Sequence, residues 1–60
     1  MEAQELQIGA RIRAWDYDSE EYRVVVVVGH YYGLTATVGA GFDWWLPVGY
    51  TDFVLIGHSL

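Results

Sequence analysis

Asp16, Asp18 and Glu20 stand at alternating positions, the spacing at which the first oxygen ligands of a calcium loop converge on a hard cation. That chemistry also needs a glycine at the sixth place and an acid at the twelfth, and those places hold Glu21 and Val27. The run therefore reads as a solvated turn. His30 and His58 are too few, without any cysteine, for a structural zinc site, and are expected as hydrogen-bonded imidazoles. Ser19 lies inside the acidic run and Ser59 next to the last residue, so neither stands in a context that would activate a nucleophile. Paired carboxylates need a pocket to perturb them before they can work as acid and base, and a chain this short has little room for one. Gly39-Ala40-Gly41 is not followed by a helix, so it does not form a phosphate cradle. No enzyme activity, cofactor or metal is expected.

The elements that position these residues are strands. Leu6, Ile8, Ala10, Ile12 and Ala14 alternate with Gln7, Gly9, Arg11, Arg13 and Trp15, the period of a half-buried strand, and residues 1–5 read as a loose N-terminal end. Asp16-Tyr17-Asp18-Ser19-Glu20-Glu21 supplies the short polar side chains that favour a turn. Tyr22 to Val28 is an uninterrupted β-branched run, the pattern of a strand covered on both faces. Gly29 and Gly33 bracket His30-Tyr31-Tyr32, and Leu34 to Val38 forms a third strand. Trp44 to Val48 forms a fourth, with Pro47 arguing for an edge or a bulge. Asp52 to Ile56 forms a fifth. Short strands at this spacing, with no substantial helix, predict one small all-β domain over residues 1–60, rolled into a closed or nearly closed barrel.

Length and charge bound what such a domain can do. A chain of 60 residues buries only about 60% of the surface its unfolded form exposes. Charged residues make up 18% of the chain, below the roughly 25% usual for a soluble domain. The formal net charge is −5 with no lysine, so the chain repels phosphate backbones and nucleic acid is not an expected partner. All three arginines and most carboxylates lie at or before Arg23, and after it only Asp43 and Asp52 carry fixed charge. A stretch so poor in charge predicts cover by another chain, most simply a second copy, with Val25 and Val27 of the Val24–Val28 run as the oligomer interface. The window from Val24 to Phe42 lacks Asp, Glu, Lys and Arg, but its glycines, threonines and β-branched residues argue against a membrane helix. The acidic start Met1-Glu2-Ala3-Gln4-Glu5 does not resemble a secretory signal, and cytoplasmic residence is expected.

Ala14-Trp15-Asp16-Tyr17-Asp18, together with the pair Trp44-Trp45, resembles the SH3 domain, which opens on an Ala-Leu-Tyr-Asp-Tyr signature and carries a Trp-Trp pair on a core strand. The ending Tyr50-Thr51-Asp52-Phe53-Val54-Leu55-Ile56 is similar to the closing strand of bacterial SH3-like barrels. The resemblance implies a five-stranded SH3-like small barrel. It also implies a groove for proline-rich peptides lined by Trp15, Tyr17 and Trp44, with Asp18, Glu20 and Glu21 reading a basic flank. The chain departs from the family in its short loop after Tyr17 and in lacking the late proline and tyrosine segment.

The aromatic count points the same way from a different direction. Trp15, Trp44, Trp45, Tyr17, Tyr22, Tyr31, Tyr32 and Tyr50 are more large rings than a core of this size holds. Adjacent strand residues point to opposite faces, so one of Trp44 and Trp45 faces out, and Trp15 faces out if Ala14 faces in. Exposed Trp and Tyr dominate binding hot spots. The expected function is a protein-interaction module that also self-associates. Trp15, Tyr31, Tyr32 and Trp45 would be buried against the partner, while Asp16, Asp18, Glu20 and Glu21 steer a basic patch toward them. A small acidic chain of this kind suits a viral or mobile-element product that blocks a host protein. Two other classes fit the same composition: a small-ligand binder with a pocket between subunits, and a structural assembly subunit.

Overall fold

The valine run dictates the architecture, because it forms a strand long enough to serve two ladders. The computed structural model of the chain describes residues 1–39 and 41–58. Its strands are β1 (Ala10–Asp16), β2 (Glu21–Tyr31), β3 (Leu34–Gly39), β4 (Phe42–Leu46) and β5 (Phe53–His58). They form one five-stranded antiparallel sheet in the order β4-β3-β2-β1-β5. β2 pairs with β1 from Glu21 to Val26 and with β3 from Val26 to Tyr31. The fold is thus all-β, as expected.

A bulge in β2 reverses which side chains face the core. Register slips between Val27 and Gly29 against β3, which leaves Val28 as the extra residue. Before the bulge Val25 and Val27 point inward; after it His30 does, opposite Thr35. The expectation that Val25 and Val27 form an oligomer interface is corrected here. They are 1% and 0% exposed, sealed in the core of a single chain, and the exposed valines of this run are Val24 and Val28.

The N-terminal segment also departs from expectation. Ala10 N–H donates to the Gln7 carbonyl at 3.0 Å in a turn, so β1 starts at Ala10 rather than Leu6, and Ile8 is exposed. Residues 1–5 are not a loose end. Ala3–Glu5 form a 3-10 turn, the Glu2 N–H donates to the Glu5 carboxylate at 2.8 Å, and Ala3 is buried with its N–H on the Tyr50 carbonyl at 2.8 Å. His30 fastens the next residue: its Nε2 donates to the Leu6 carbonyl at 2.6 Å, because a carbonyl can only accept, and its Nδ1 is hydrogen-bonded with the Thr35 hydroxyl at 3.1 Å.

The core comprises Ala3, Leu6, Ala10, Ile12, Ala14, Val25, Val27, Leu46 and Tyr50, with Trp44 and Phe53 partly buried against it. Each fully buried Val, Leu or Ile contributes about 1.5–3 kcal/mol by leaving water. β4 and β5 end the strand order and do not pair with each other among the described residues. The space between them is filled from the connecting segment by Tyr50. Its ring meets Trp44 edge-on at 6.2 Å and stacks on Phe53 at 6.3 Å. The sheet is therefore rolled around one tyrosine instead of closed by a fifth ladder. No helix among the described residues is long and apolar enough to cross a membrane.

Candidate interaction surfaces

The first surface forms where β1 ends. Ala10, Ile12 and Ala14 face the core, so Arg11, Arg13 and Trp15 face outward. Trp15 pairs with Tyr22 across the ladder, and their rings meet edge-on at 4.9 Å. The Arg13 guanidinium lies 5.2 Å from the centre of the same Tyr22 ring. Beside this row, Trp15, Tyr17, Tyr22, Thr51, Asp52, Phe53 and Val54 surround an open groove of about 450 Å³. Tyr50 supports it from below. Its hydroxyl donates to the Trp15 carbonyl, with the Asp52 carbonyl 3.2 Å away, and the Trp15 N–H donates to the same Asp52 carbonyl at 2.9 Å. Burial pushes the Tyr50 phenol above its ordinary pKa, against the opposing pull of the bond to Trp15, so the hydroxyl stays a donor through the neutral range.

The acidic loop borders the groove and is locally rigid. Glu20 N–H donates to the Asp16 carbonyl at 2.8 Å, and Asp18 N–H donates to Asp16 Oδ1 at 2.9 Å. Arg23 Nε donates to Asp16 Oδ2 at 2.6 Å and Arg23 Nη2 to Ser19 Oγ at 3.2 Å. The Arg23 guanidinium holds the Asp16 carboxyl below the usual carboxylate range, against a smaller upward push from burial. Asp16 was expected to meet a partner; it instead ties the loop to β2, with 13% of its side chain exposed. Asp18, Glu20 and Glu21 are exposed, and a Glu21 carboxylate oxygen lies 3.5 Å from Arg23 Nη2. Among the described residues no group of three or more His, Cys, Asp or Glu is placed to hold a metal ion.

The second surface lies on the outer face of β2, β3 and β4. Beyond the bulge, Gly29 pairs with Ala36 and Ala36 with Trp45, so two very small residues sit in one outward row. The rings of Tyr31 and Trp45, 5.6 Å apart, close over that row. A Cβ at Gly29 would lie 2.6 Å from the Tyr31 ring, which explains the glycine. The hairpin between β2 and β3 turns through Tyr32 and Gly33, both at positive φ (54° and 84°), as a two-residue primed turn. Tyr32 is fully exposed at its tip.

The structure thus separates residues that the sequence grouped together. Trp15 and Tyr17 share the groove, whereas Trp44 turns inward against Tyr50 and is not part of that groove's lining. Its inward aim follows from the pairing Thr37↔Trp44, since Thr37 is buried and its hydroxyl donates to the Trp44 carbonyl at 2.7 Å. Tyr31, Tyr32 and Trp45 lie on the other surface. Tyr22, Thr51, Asp52, Phe53 and Val54 complete the groove and were not anticipated as site residues. For Tyr22 the missing signal was the register Trp15↔Tyr22, which places the two rings on one face. Comparison with protein families, characterised proteins and solved structures finds no match to this chain.

Proposed function

We propose that this chain is an SH3-like protein-interaction module whose groove takes an extended, basic segment of a partner protein. The observation that carries this reading is the groove of about 450 Å³ in which Trp15, Tyr17 and Tyr22 stand around Asp52. Aromatic rings attract cations and receive extended chains at low entropic cost, and a carboxylate within the lining favours Lys or Arg over an acidic ligand. Asp18, Glu20 and Glu21, exposed and close after Tyr17 in the chain, add to the negative field and would speed encounter with a positive segment. The strand order β4-β3-β2-β1-β5, with β2 shared between two ladders, supports the SH3-like reading of the fold. A small acidic module of this kind would act in the cytoplasm by occupying a basic surface of a host protein, an extension supported by composition alone.

The test is a panel of extended peptides, half carrying Arg and Lys and half the matched Glu series, titrated against the protein by calorimetry. The basic series is expected to bind, more weakly as salt rises, and Tyr17→Ala is expected to weaken it at least tenfold without moving the melting temperature. Equal binding of both series, or indifference to Tyr17→Ala, would contradict the proposal.

A further inference from the structure

Tyr22, Trp15 and Asp52 follow one another across three neighbouring stretches of chain. Trp15 pairs with Tyr22 on β2, and on its other side its N–H donates to the carbonyl of Asp52, directly before β5. All three line the groove. Arg13 stands on the same outer face of β1, exposed, with Val24 and Val54 as its ladder neighbours. Its guanidinium lies over the Tyr22 ring, 5.2 Å from the centre, and Tyr22 is diagonal to Arg13 on the side of Trp15. The arginine is therefore turned toward the groove. One end of the groove thus carries a cation held on Tyr22 and the other the Asp52 carboxylate, with Trp15 between them. Among the described residues neither Arg13 nor the Asp52 carboxylate has an ion-pair partner. Contact with a ring leaves the N–H donors of a guanidinium open to a carboxylate.

We propose that the groove takes a segment carrying a lysine or arginine and, three positions away, an aspartate or glutamate, the cation seated on Asp52 and the carboxylate on Arg13. This deepens the groove reading and rests on it. The spacing follows from the sheet. The chain stretches that carry Tyr22 and Asp52 are two strand spacings apart, about 10 Å. A polyproline helix repeats its face every three residues at about 3.1 Å per residue, so side chains three positions apart stand about 9 Å from one another on one side. The intervening residues then lie over Trp15, which receives an extended chain at low entropic cost. Net charge makes the carboxylate's place specific. A chain of −5 repels an acidic ligand generally, so a ligand's acidic residue is accepted where Arg13 answers it and rejected beside Asp52.

Calorimetric titration with short peptides tests this. The peptides share one length and carry at their centre Lys-Pro-Pro-Glu or the reverse order Glu-Pro-Pro-Lys, each with a control in which Gln replaces Glu. In one of the two orders the Glu peptide is expected to bind the parent at least about threefold more tightly than its Gln control, the scale of an exposed ion pair. Arg13→Glu is expected to keep the circular dichroism of the parent and to reverse that preference, whereas Arg13→Lys keeps it. Equal binding of Glu and Gln peptides to the parent in both orders overturns the proposal, as does a preference that survives Arg13→Glu. The parent comparison needs no variant, so it decides even if Arg13→Glu unfolds the chain. Gln peptides that bind and are weakened by Tyr17→Ala, with no gain from Glu, would remove the pairing with Arg13 and leave the groove reading standing. Failure of every peptide to bind would remove both.

Discussion

Two aromatic surfaces lie on this small sheet, and they are exposed for different reasons. Tyr31 and Trp45 close over Gly29 and Ala36, a row too small to shield its own backbone, so their rings complete the packing of the outer face. Trp15, Tyr17 and Tyr22 line an open groove together with Asp52. Fractional exposure does not separate the two sets, since Trp45 is 48% exposed and Tyr22 54%. What lies beneath each ring does. An exposed aromatic over small residues serves stability first, whereas one beside a hollow is available to a ligand.

That contrast yields its largest expected effect when one ring is removed from each surface. Trp45→Ala should lower stability by about 2 kcal/mol, less than for a fully buried tryptophan because half the ring is already in water. Tyr17→Ala should change it by less than about 0.5 kcal/mol. Chemical denaturation of both variants measures the difference, and equal losses would erase the distinction drawn here.

Tyr50→Phe sharpens the comparison from beneath the groove. Loss of the hydroxyl leaves the Trp15 carbonyl without that donor, at a cost of about 1–2 kcal/mol. The same residue sets an alkaline limit. Its folded pKa is raised, so its contribution is complete below the ordinary phenol value and lost as pH rises through the folded one. The parent should therefore weaken in strong alkali more steeply than Tyr50→Phe, which a melting series against pH would show.

The turn at the end of the second surface gives a smaller effect of opposite sign. Tyr32 adopts φ 54° with its side chain fully in solvent, where Asn is less strained. Tyr32→Asn should stabilise the chain by about 0.5–1 kcal/mol, and a lowered midpoint would mean that the ring is held by contacts this account omits.

The smallest effect expected is at Asp16. Its pKa is lowered chiefly by Arg23, so its contribution is present above the ordinary carboxylate value and lost as pH falls through the folded one. Asp16→Asn should flatten the acid limb of the stability profile, and an unchanged limb would remove Asp16 from the loop's support.

Much of this arrangement was legible in the residues. Alternation from Ala10 to Trp15 gave the inward and outward faces of β1, and the glycines and the acidic run located the connections. The bulge was not legible, because five consecutive valines present the same side chain to both faces and carry no mark of where register slips. Everything that depends on parity beyond Val28 was hidden with it. This includes the inward turn of His30, whereas the inward aim of Val25 and Val27 follows from the pairing of Val25 with buried Ile12 on β1, a register that a run of identical side chains does not disclose. Adjacency showed that Trp44 and Trp45 must diverge, but only pairing with buried Thr37 shows which one turns inward. Ile8 continued the apolar alternation by coincidence, since the turn that closes at Ala10 had already taken it out of the strand.

The most direct test of the groove as the binding surface is to follow the indole N–H signals of Trp15 and Trp45 by NMR during titration with a peptide of the basic series. The account predicts that the Trp15 signal shifts together with the amides of residues 51–54, while the Trp45 signal stays in place. Movement of Trp45 with Trp15 unchanged would contradict it and assign recognition to the opposite face.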